Sequence, residues 1–198
     1  MFVTSHSSRR AFTLLEVLIV LAVLGVLAAL LIPSTNPDAY ARLEMAAAAV
    51  GRDIEYARSL AITHDDNYRI DFDLANNRWT LVHSGSNSAL NTLPITPLHP
   101  ATDSPDQQTT TLGELPGVGG TTRLHAVWAL AVPPQTITDI EFEPLGETTR
   151  SEPTLVWLAT GTGDSTRYLS VRINPVTGLY WIEGFRATEP SPATYTIP

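Results

Sequence analysis

The sequence contains no cysteine and no lysine. The absence of cysteine excludes a disulfide framework, a lipid-modified cysteine and thiolate metal sites, although it does not fix the redox compartment. All basic residues are arginines, and the net charge is −8 at pH 7. Because affinity for a phosphate backbone comes mostly from lysine and arginine contacts, a chain this acidic is a poor candidate for binding nucleic acid.

Charge is also scarce in one long segment near the N-terminus. Residues 9–33 read RRAFTLLEVLIVLAVLGVLAALLIP, and Glu16 is the only charged residue after the two arginines. Residues 12–32 would form a helix of roughly 31 Å, which matches the hydrocarbon core of a bilayer. The sequence therefore predicts a transmembrane helix over residues 12–33, and the arginines before it predict a cytoplasmic N-terminus.

Three other interpretations of this segment are open. It could be a cleaved signal peptide, with Ala39-Tyr40-Ala41 as an A-x-A cleavage site, a twin-arginine export signal, or a plain membrane anchor. The apolar stretch 17–32 is longer than the usual signal-peptide core of about 7–15 residues. Glu16 also argues against a signal peptide, because such a core has no use for a buried carboxylate.

The segment AFTLLEVLIVLAVLGVLAALLIP resembles the N-terminal signature of type IV pilins and type II secretion pseudopilins. That signature is a small residue, a Phe, a Glu four positions later, and an apolar helix interrupted by Pro. The resemblance implies that a prepilin peptidase removes the leader peptide 1–11 by cutting between Ala11 and Phe12, and then methylates the amine of Phe12. It also implies that Glu16 is the family's acidic residue and that Pro33 bends the helix. The family usually has Gly where this chain has Ala11, a departure that bears on processing.

The position of Glu16 also has a physical interpretation. A carboxylate costs roughly 2.5–3.5 kcal/mol near the centre of a transmembrane helix, so it needs a partner. Cleavage before Phe12 creates an ammonium group one helical turn away. In a bundle of such helices the terminal amine of one subunit would reach Glu16 of its neighbour, and this pairing would set the assembly register. The alternative is an isolated charge that extends to the lipid headgroups.

The rest of the chain has one amphipathic segment followed by strand-like ones. Residues 34–64 place small and apolar side chains at three- and four-residue steps, which predicts a periplasmic helix half packed on a sheet. Residues 65–186 predict a β-rich domain with an irregular insertion at 84–122, and residues 187–198 predict a flexible tail. The predicted fold class is α+β, with a long N-terminal helix packed on a C-terminal antiparallel β-domain. The predicted strands are Tyr68–Leu74, Arg78–Val82, Leu124–Val132, Ile137–Phe142, Leu155–Thr160, Tyr168–Ile173 and Leu179–Glu183.

Three later stretches resemble the GspH/FimT type of minor pilin or pseudopilin. The end of the amphipathic segment carries an A-R-x-x-A pattern at Ala57, Arg58 and Ala61. An F-x-P-x-G turn spans residues 142–146, and the final predicted hairpin turns through the glycine-containing sequence at 175–178. The resemblance covers most of the chain and implies a type IV pilin-like fold.

No catalytic or cofactor site emerges from the polar residues. His64-Asp65-Asp66 with Asp71 and Asp73 is the densest group of potential calcium ligands, but it lacks EF-hand spacing and lies where turn residues are expected. The histidines show no zinc spacing, and no G-x-S-x-G nucleophile turn is present. The tryptophans lie in predicted strands, which favours core packing, whereas an exposed one would indicate a partner surface. They are Trp79, Trp128, Trp157 and Trp181.

The sequence predicts a minor pseudopilin and not an enzyme: a structural subunit at or near the tip of the periplasmic pseudopilus of a type II secretion system. The expected partners are other pilins or pseudopilins through the N-terminal helix, the prepilin peptidase and the inner-membrane assembly platform. The expected location is the bacterial inner membrane, single-pass, with the C-terminal domain in the periplasm.

Two alternatives belong to other functional classes. A FimT-like minor type IV pilin would act in pilus assembly or DNA uptake, and an exported enzyme would carry a cleaved signal. DNA binding would require a local arginine cluster to offset the acidity of the chain. The candidates for that cluster are Arg150, Arg167, Arg172 and Arg186.

Overall fold

A computed structural model describes residues 14–31, 39–96, 103–192 and 195. The chain divides into two compact units, residues 1–36 and residues 37–198. The described part of the first unit is helix α1, Leu14–Leu31. Among the described residues, no helix is both long and apolar enough to cross a membrane. The leader peptide, the cleavage site and Pro33 lie outside the described residues.

The second unit combines one helix with two antiparallel sheets. Helix α2 spans Ala39–His64. The first sheet has the strand order β3-β2-β1-β6 and the second β5-β4-β7-β8-β9, and all neighbouring strands are antiparallel. The predicted α+β class is confirmed. The strands are β1 (Tyr68–Asp73), β2 (Arg78–His83), β3 (Gln107–Thr111), β4 (Arg123–Ala129), β5 (Gln135–Thr136), β6 (Asp139–Phe142), β7 (Thr154–Thr160), β8 (Arg167–Ile173) and β9 (Tyr180–Ile182).

Helix α2 packs one face against both sheets. The buried side chains of this face recur at three- and four-residue steps, as the amphipathic pattern predicts. Many of them are alanines, which let the sheets approach the helix closely. Gly51 serves the same purpose, because a Cβ at this position would overlap the ring of Tyr180. The buried face consists of Leu43, Ala46, Ala47, Ala49, Val50, Gly51, Asp53, Ile54, Ala57, Leu60 and Ala61.

Strand β7 is buried along its whole length, which sequence periodicity could not show. One face of β7 joins the main core beneath α2 through Val156 and Leu158. The opposite face, here called the outer face of the second sheet, belongs to a smaller second core. This second core contains Trp128, Leu130, Leu155, Trp157, Ala159 and Tyr168, and Tyr195 packs against it.

Two parts of the predicted organisation need correction. The insertion at 84–122 is not wholly irregular, because it contains β3, which pairs with β2. The sequence of β3 is QQTTT, so its alternation of buried and half-buried side chains involves only polar residues. The prediction from apolar periodicity failed for that reason. Tyr195, predicted to lie in a flexible tail, is packed on the outer face of the second sheet.

Candidate functional site

Helix α1 carries Glu16 in its first turn, where the helix dipole favours a negative charge. The side chains of residues 14–24 are exposed on every side of the helix, and Leu14 is 83% exposed. An apolar surface that surrounds a helix completely is typical of one covered by lipid or by other helices. The other predicted processing residues, Ala11 and Phe12, lie outside the described residues, as does Pro33.

The three later motifs of the sequence meet at the C-terminal end of α2. The guanidinium of Arg58 donates from Nε to the carbonyl oxygen of Gly146 at 3.2 Å and to that of Thr177 at 2.7 Å. These carbonyls belong to the F-x-P-x-G turn and to the turn before β9. One arginine therefore joins the helix to both sheets, because β6 precedes the first turn and β8 precedes the second.

Both turns at this junction require glycine. Gly146 and Gly178 have backbone φ values of +88° and +64°, which residues other than glycine rarely adopt. A Cβ on Gly178 would also overlap the carbonyl oxygen of Gly146 and lie 2.9 Å from the Arg58 side chain. The motif residues Arg58, Gly146 and Gly178 thus form one structural unit, although 120 positions of sequence separate the first from the last.

A buried carboxylate anchors α2 to the first sheet. Asp53 is 3% exposed and accepts hydrogen bonds from Trp79 Nε1 at 2.7 Å and Thr110 Oγ1 at 2.8 Å. Arg52, which is half-exposed, pairs with the other carboxylate oxygen at 2.9 Å. Since Trp79 lies on β2 and Thr110 on β3, this carboxylate fixes α2 against two neighbouring strands.

The acidic residues that follow α2, Asp65 and Asp66, lie in a turn, as their residue types predicted. Asp65 has φ +53°, in the left-handed conformation common after a helix. Asp66 accepts hydrogen bonds from the backbone N–H of Asn87 at 3.0 Å and of Ser86 at 3.3 Å. It also contacts His83 Nε2 at 3.1 Å. The pKa of Asp66 is lowered, first by the Asn87 N–H and then by the other donors, against the opposing effect of burial.

The remaining acidic residues of that group have separate protein partners. Asp71 pairs with Arg69 at 2.8 Å, and Asp73 pairs with Arg78 at 3.0 Å. Within the part of the chain that the structure describes, no group of histidine and carboxylate side chains is arranged to hold a metal ion.

The four arginines considered for DNA binding have different partners. Arg150 pairs with Asp139 at 2.9 Å. Arg167 donates to backbone oxygens of the preceding turn at 2.8 and 3.2 Å. Arg172 and Arg186 lie on the outer face of the second sheet, where Arg172 faces a glutamate. At least two of the four positive charges are therefore balanced by nearby carboxylates.

The outer face carries a polar network centred on Glu183. Its carboxylate accepts hydrogen bonds from Ser170 Oγ at 2.7 Å and from Tyr195 Oη at 3.1 Å. Arg172 Nη1 lies 3.6 Å from the other carboxylate oxygen, and both side chains of this pair are largely buried. Burial, followed by the negative charge of Glu183, raises the pKa of Tyr195 to about 12.

Aromatic rings surround the phenol of Tyr195. Its centroid lies 6.0 Å from that of Trp157 and 6.3 Å from that of Trp128, both in edge-on geometry. The Arg186 guanidinium lies 5.2 Å from the Tyr195 ring and 5.5 Å from the Trp157 ring, within cation–π range. Trp181 differs from the other tryptophans in being 42% exposed, on the edge strand β9.

Sequence reasoning missed the roles of Asp53 and Tyr195. Asp53 is charged, so the amphipathic pattern of small and apolar residues does not include it, yet it lies four positions from both Ala49 and Ala57 on the buried face. The burial of Asp53 could have been predicted from that spacing. For Tyr195 the sequence gives no comparable signal, because its contacts come from strands that are distant along the chain.

Two family models match the chain. The prokaryotic N-terminal methylation motif matches residues 6–32, and the type II transport protein GspH model matches residues 46–178, about two thirds of the chain. No curated protein is a significant match.

Similar solved structures include two bacterial minor subunits. The type IV minor pilin FimU of Pseudomonas aeruginosa, in two crystal forms, is 17% and 18% identical to this chain, with TM-scores of 0.44 and 0.42. The matches cover 72% of this chain and 88% and 93% of FimU. The minor pseudopilin EpsH from the Type 2 Secretion System of Vibrio cholerae is 13% identical, with a TM-score of 0.48, over 72% of this chain and 96% of EpsH. The family assignment rests on the two family models.

Proposed function

Because the chain belongs to the type II transport protein GspH family, we propose that it is a minor pseudopilin of a type II secretion system. It would act at or near the tip of a periplasmic pseudopilus. The role is mechanical: the chain is a filament subunit and carries out no chemical step. The observation that carries the proposal is the first part of helix α1, residues 14–24, where apolar side chains are exposed on every side of the helix and Glu16 occupies the first turn.

In this proposal α1 is the assembly segment. Before assembly the lipid of the inner membrane covers it, and afterwards the equivalent helices of other pseudopilins do so. Prepilin peptidase cuts between Ala11 and Phe12 and methylates the new amine. Glu16 then pairs with the terminal amine of a neighbouring subunit, since an unpaired carboxylate among apolar helices is costly. Pro33 bends the chain between the assembly helix and the periplasmic domain.

Mass spectrometry of the mature chain tests the processing step. The expected N-terminus is Phe12 with one added methyl group, and it should depend on the prepilin peptidase. A terminus near Tyr40 would instead indicate an exported protein with a cleaved signal peptide. Replacing Ala11 with Gly, the residue usual in the family, should leave the site of cleavage unchanged and raise the extent of processing.

Substitution of Glu16 tests the assembly step. Glu16→Ala should abolish co-purification with other pseudopilins, because the neighbour's amine loses its partner. Glu16→Asp, which keeps the charge on a shorter side chain, is the matched control and should retain part of the association. If Glu16→Ala assembles as well as the parent chain, the carboxylate does not set the register.

A further inference from the structure

One edge of the second sheet presents a strip of exposed apolar side chains. Strand β9 is the last in the strand order, and among the described strands it pairs only with β8. Its residues Trp181 and Ile182 are 42% and 41% exposed, and Leu179 just before them is 48% exposed. Further along the chain Phe185 packs edge-on against Tyr40 of α2, and both rings are more than one-third exposed. These five side chains, with the backbone of residues 179–185, are called the β9 edge.

The backbone of β9 alternates between the neighbouring strand and the open side of the sheet. At one end of β9 the N–H of Glu183 donates to the carbonyl oxygen of Ser170, and at the other end the carbonyl oxygen of Leu179 accepts a hydrogen bond from the residue after β8, both at 2.9 Å. Backbone groups change direction at each residue of an antiparallel strand. The N–H and C=O groups of Tyr180 and Ile182 therefore point away from β8, towards a side on which no other described strand lies.

The other sheet edges in the described part of the chain are protected. On β3 the carboxylate of Asp103 accepts a hydrogen bond from the backbone N–H of Thr109. Beside β6 the chain returns, and the N–H of Thr149 donates to the carbonyl oxygen of Glu141 at 3.1 Å. Strand β5 consists of two polar residues. Folded proteins protect their sheet edges in such ways, because unpaired backbone groups attract another strand. The β9 edge has the opposite character, since the sequence of the strand is YWI.

We propose that the β9 edge is a self-association surface, on which β9 of a second copy of this chain pairs antiparallel and joins the two second sheets into one. In the register centred on Trp181, Tyr180 of one copy lies opposite Ile182 of the other, and the two exchange backbone hydrogen bonds. The two Trp181 residues face each other at the centre of the pairing. The proposal does not rest on the proposed function, because it concerns the second sheet alone.

A second copy fits the β9 edge because the edge is complementary to itself. The residues with outward-facing backbone groups flank Trp181 symmetrically, so a two-fold axis at this position brings each N–H group opposite a C=O group. The charges fit as well. In this register Glu183 of one copy lies opposite Leu179 of the other, so like charges, which destabilise strand pairs, do not face each other. Each Glu183 is also paired with Arg172 of its own chain, at 3.6 Å.

Disulfide cross-linking of the full chain tests the register, because the chain has no cysteine of its own. In the proposed pair a cysteine at position 181 lies opposite its counterpart, at about 4.5 Å between Cβ atoms, which a disulfide can bridge. On mild oxidation Trp181→Cys should therefore form a covalent dimer roughly tenfold or more faster than Leu145→Cys, an 83% exposed position in the F-x-P-x-G turn. Leu179→Cys is the matched control on β9 itself. It should also link slowly, because four residues of strand, about 13 Å, separate it from its counterpart.

A second test leaves Trp181 in place. Ile182→Pro removes an N–H group that faces away from β8, and proline is tolerated on an edge strand at such a position, so the pairing of β8 with β9 is preserved. Because the axis is two-fold, each half of the dimer loses a hydrogen bond, and the dissociation constant should rise roughly tenfold or more. Sedimentation of the detergent-solubilised full chain measures this change. Association through α1 is common to both chains and does not affect the comparison. Ile182→Val, which keeps the N–H group, should behave like the parent chain.

Either experiment can overturn the proposal. It fails if Trp181→Cys links no faster than Leu179→Cys, or if the parent chain and folded Ile182→Pro associate equally. If Ile182→Pro does not fold, as judged by circular dichroism, Ile182→Glu replaces it, because a charge on an edge strand opposes pairing without removing a backbone group. Unchanged association of Ile182→Glu would contradict the pairing in the same way.

Discussion

The indole Nε1 of Trp79 donates a hydrogen bond of 2.7 Å to a carboxylate oxygen of Asp53, across the interface between α2 and the first sheet. Thr110 donates to the same oxygen at 2.8 Å. One helix residue therefore holds two strands, and one of these, β3, has no apolar periodicity that would fix its place. The register of β3 against α2 depends on a polar contact inside the core.

Asp53→Ala should destabilise the domain by about 3 kcal/mol, because it leaves the donors of Trp79 and Thr110 buried without an acceptor, at about 1–3 kcal/mol each. Chemical unfolding of the purified chain, followed by circular dichroism, measures this loss. Asp53→Asn keeps one acceptor oxygen and should lose less. In the Asp53→Ala background, Trp79→Phe should cost less than it does in the parent chain, because the donor has already lost its acceptor. Equal costs in the two backgrounds would mean that the hydrogen bond contributes nothing.

Gly178→Ala should destabilise the domain by about 2 kcal/mol or more, because it strains a positive φ and forces a Cβ onto the Gly146 carbonyl group. The Arg58 hydrogen bonds to both turns should weaken at the same time. Thermal unfolding gives the magnitude. Gly120→Ala is the control, since a Cβ there meets nothing within 4 Å, and it should change the unfolding temperature little. Similar losses for the two variants would contradict the close approach of the two turns.

The loop after β2 should loosen in acid. Hydrogen bonding to Asn87 and the neighbouring donors lowers the pKa of Asp66 in the folded chain below its unfolded value of about 3.9. As pH falls, the unfolded chain therefore takes up this proton first. The stabilisation is present above about pH 4 and is lost as pH falls through the folded pKa.

Hydrogen exchange of the Ser86 and Asn87 amides between pH 5 and about pH 3 measures this effect, after correction for the intrinsic pH dependence of exchange. Asp66→Asn should remove most of the pH dependence. Glu55→Gln, which removes a charge from an exposed position of α2, should preserve it. An unchanged acid response in Asp66→Asn would assign the effect to other carboxylates.

The packing of Tyr195 on the outer face of the second sheet should weaken at alkaline pH. Burial and the charge of Glu183 raise the pKa of Tyr195 to about 12, above the unfolded value of about 10. The stabilisation from the neutral phenol is complete below about pH 10 and is lost as pH rises from there towards 12. Melting temperatures of the parent chain and of Tyr195→Phe, compared at pH 9 and 11, should converge at the higher pH. Two curves that stay parallel would show that folding does not raise the pKa of Tyr195.

The sequence predicted much of the fold from apolar patterns alone. Each of the seven predicted strands overlaps an observed one, and the end of the amphipathic segment coincides with the end of α2 at His64. The two strands that the sequence did not predict are polar or short. They are β3, whose buried side chains are Gln108 and Thr110, and the two-residue β5. Neither has the apolar alternation on which strand prediction relies.

The sequence by itself determined the family, because the motif around Phe12 and Glu16 is local and the A-R-x-x-A, F-x-P-x-G and final-turn motifs are short. The two family models confirm that resemblance. Only the tertiary structure decided that Arg58, Gly146 and Gly178 form one junction. It also decided that Asp53 is buried and that Tyr195 packs on the outer face. The physical reason is the same in each case: hydrogen bonds and ring contacts between distant segments depend on how sheets and helix pack, and no local spacing records that packing.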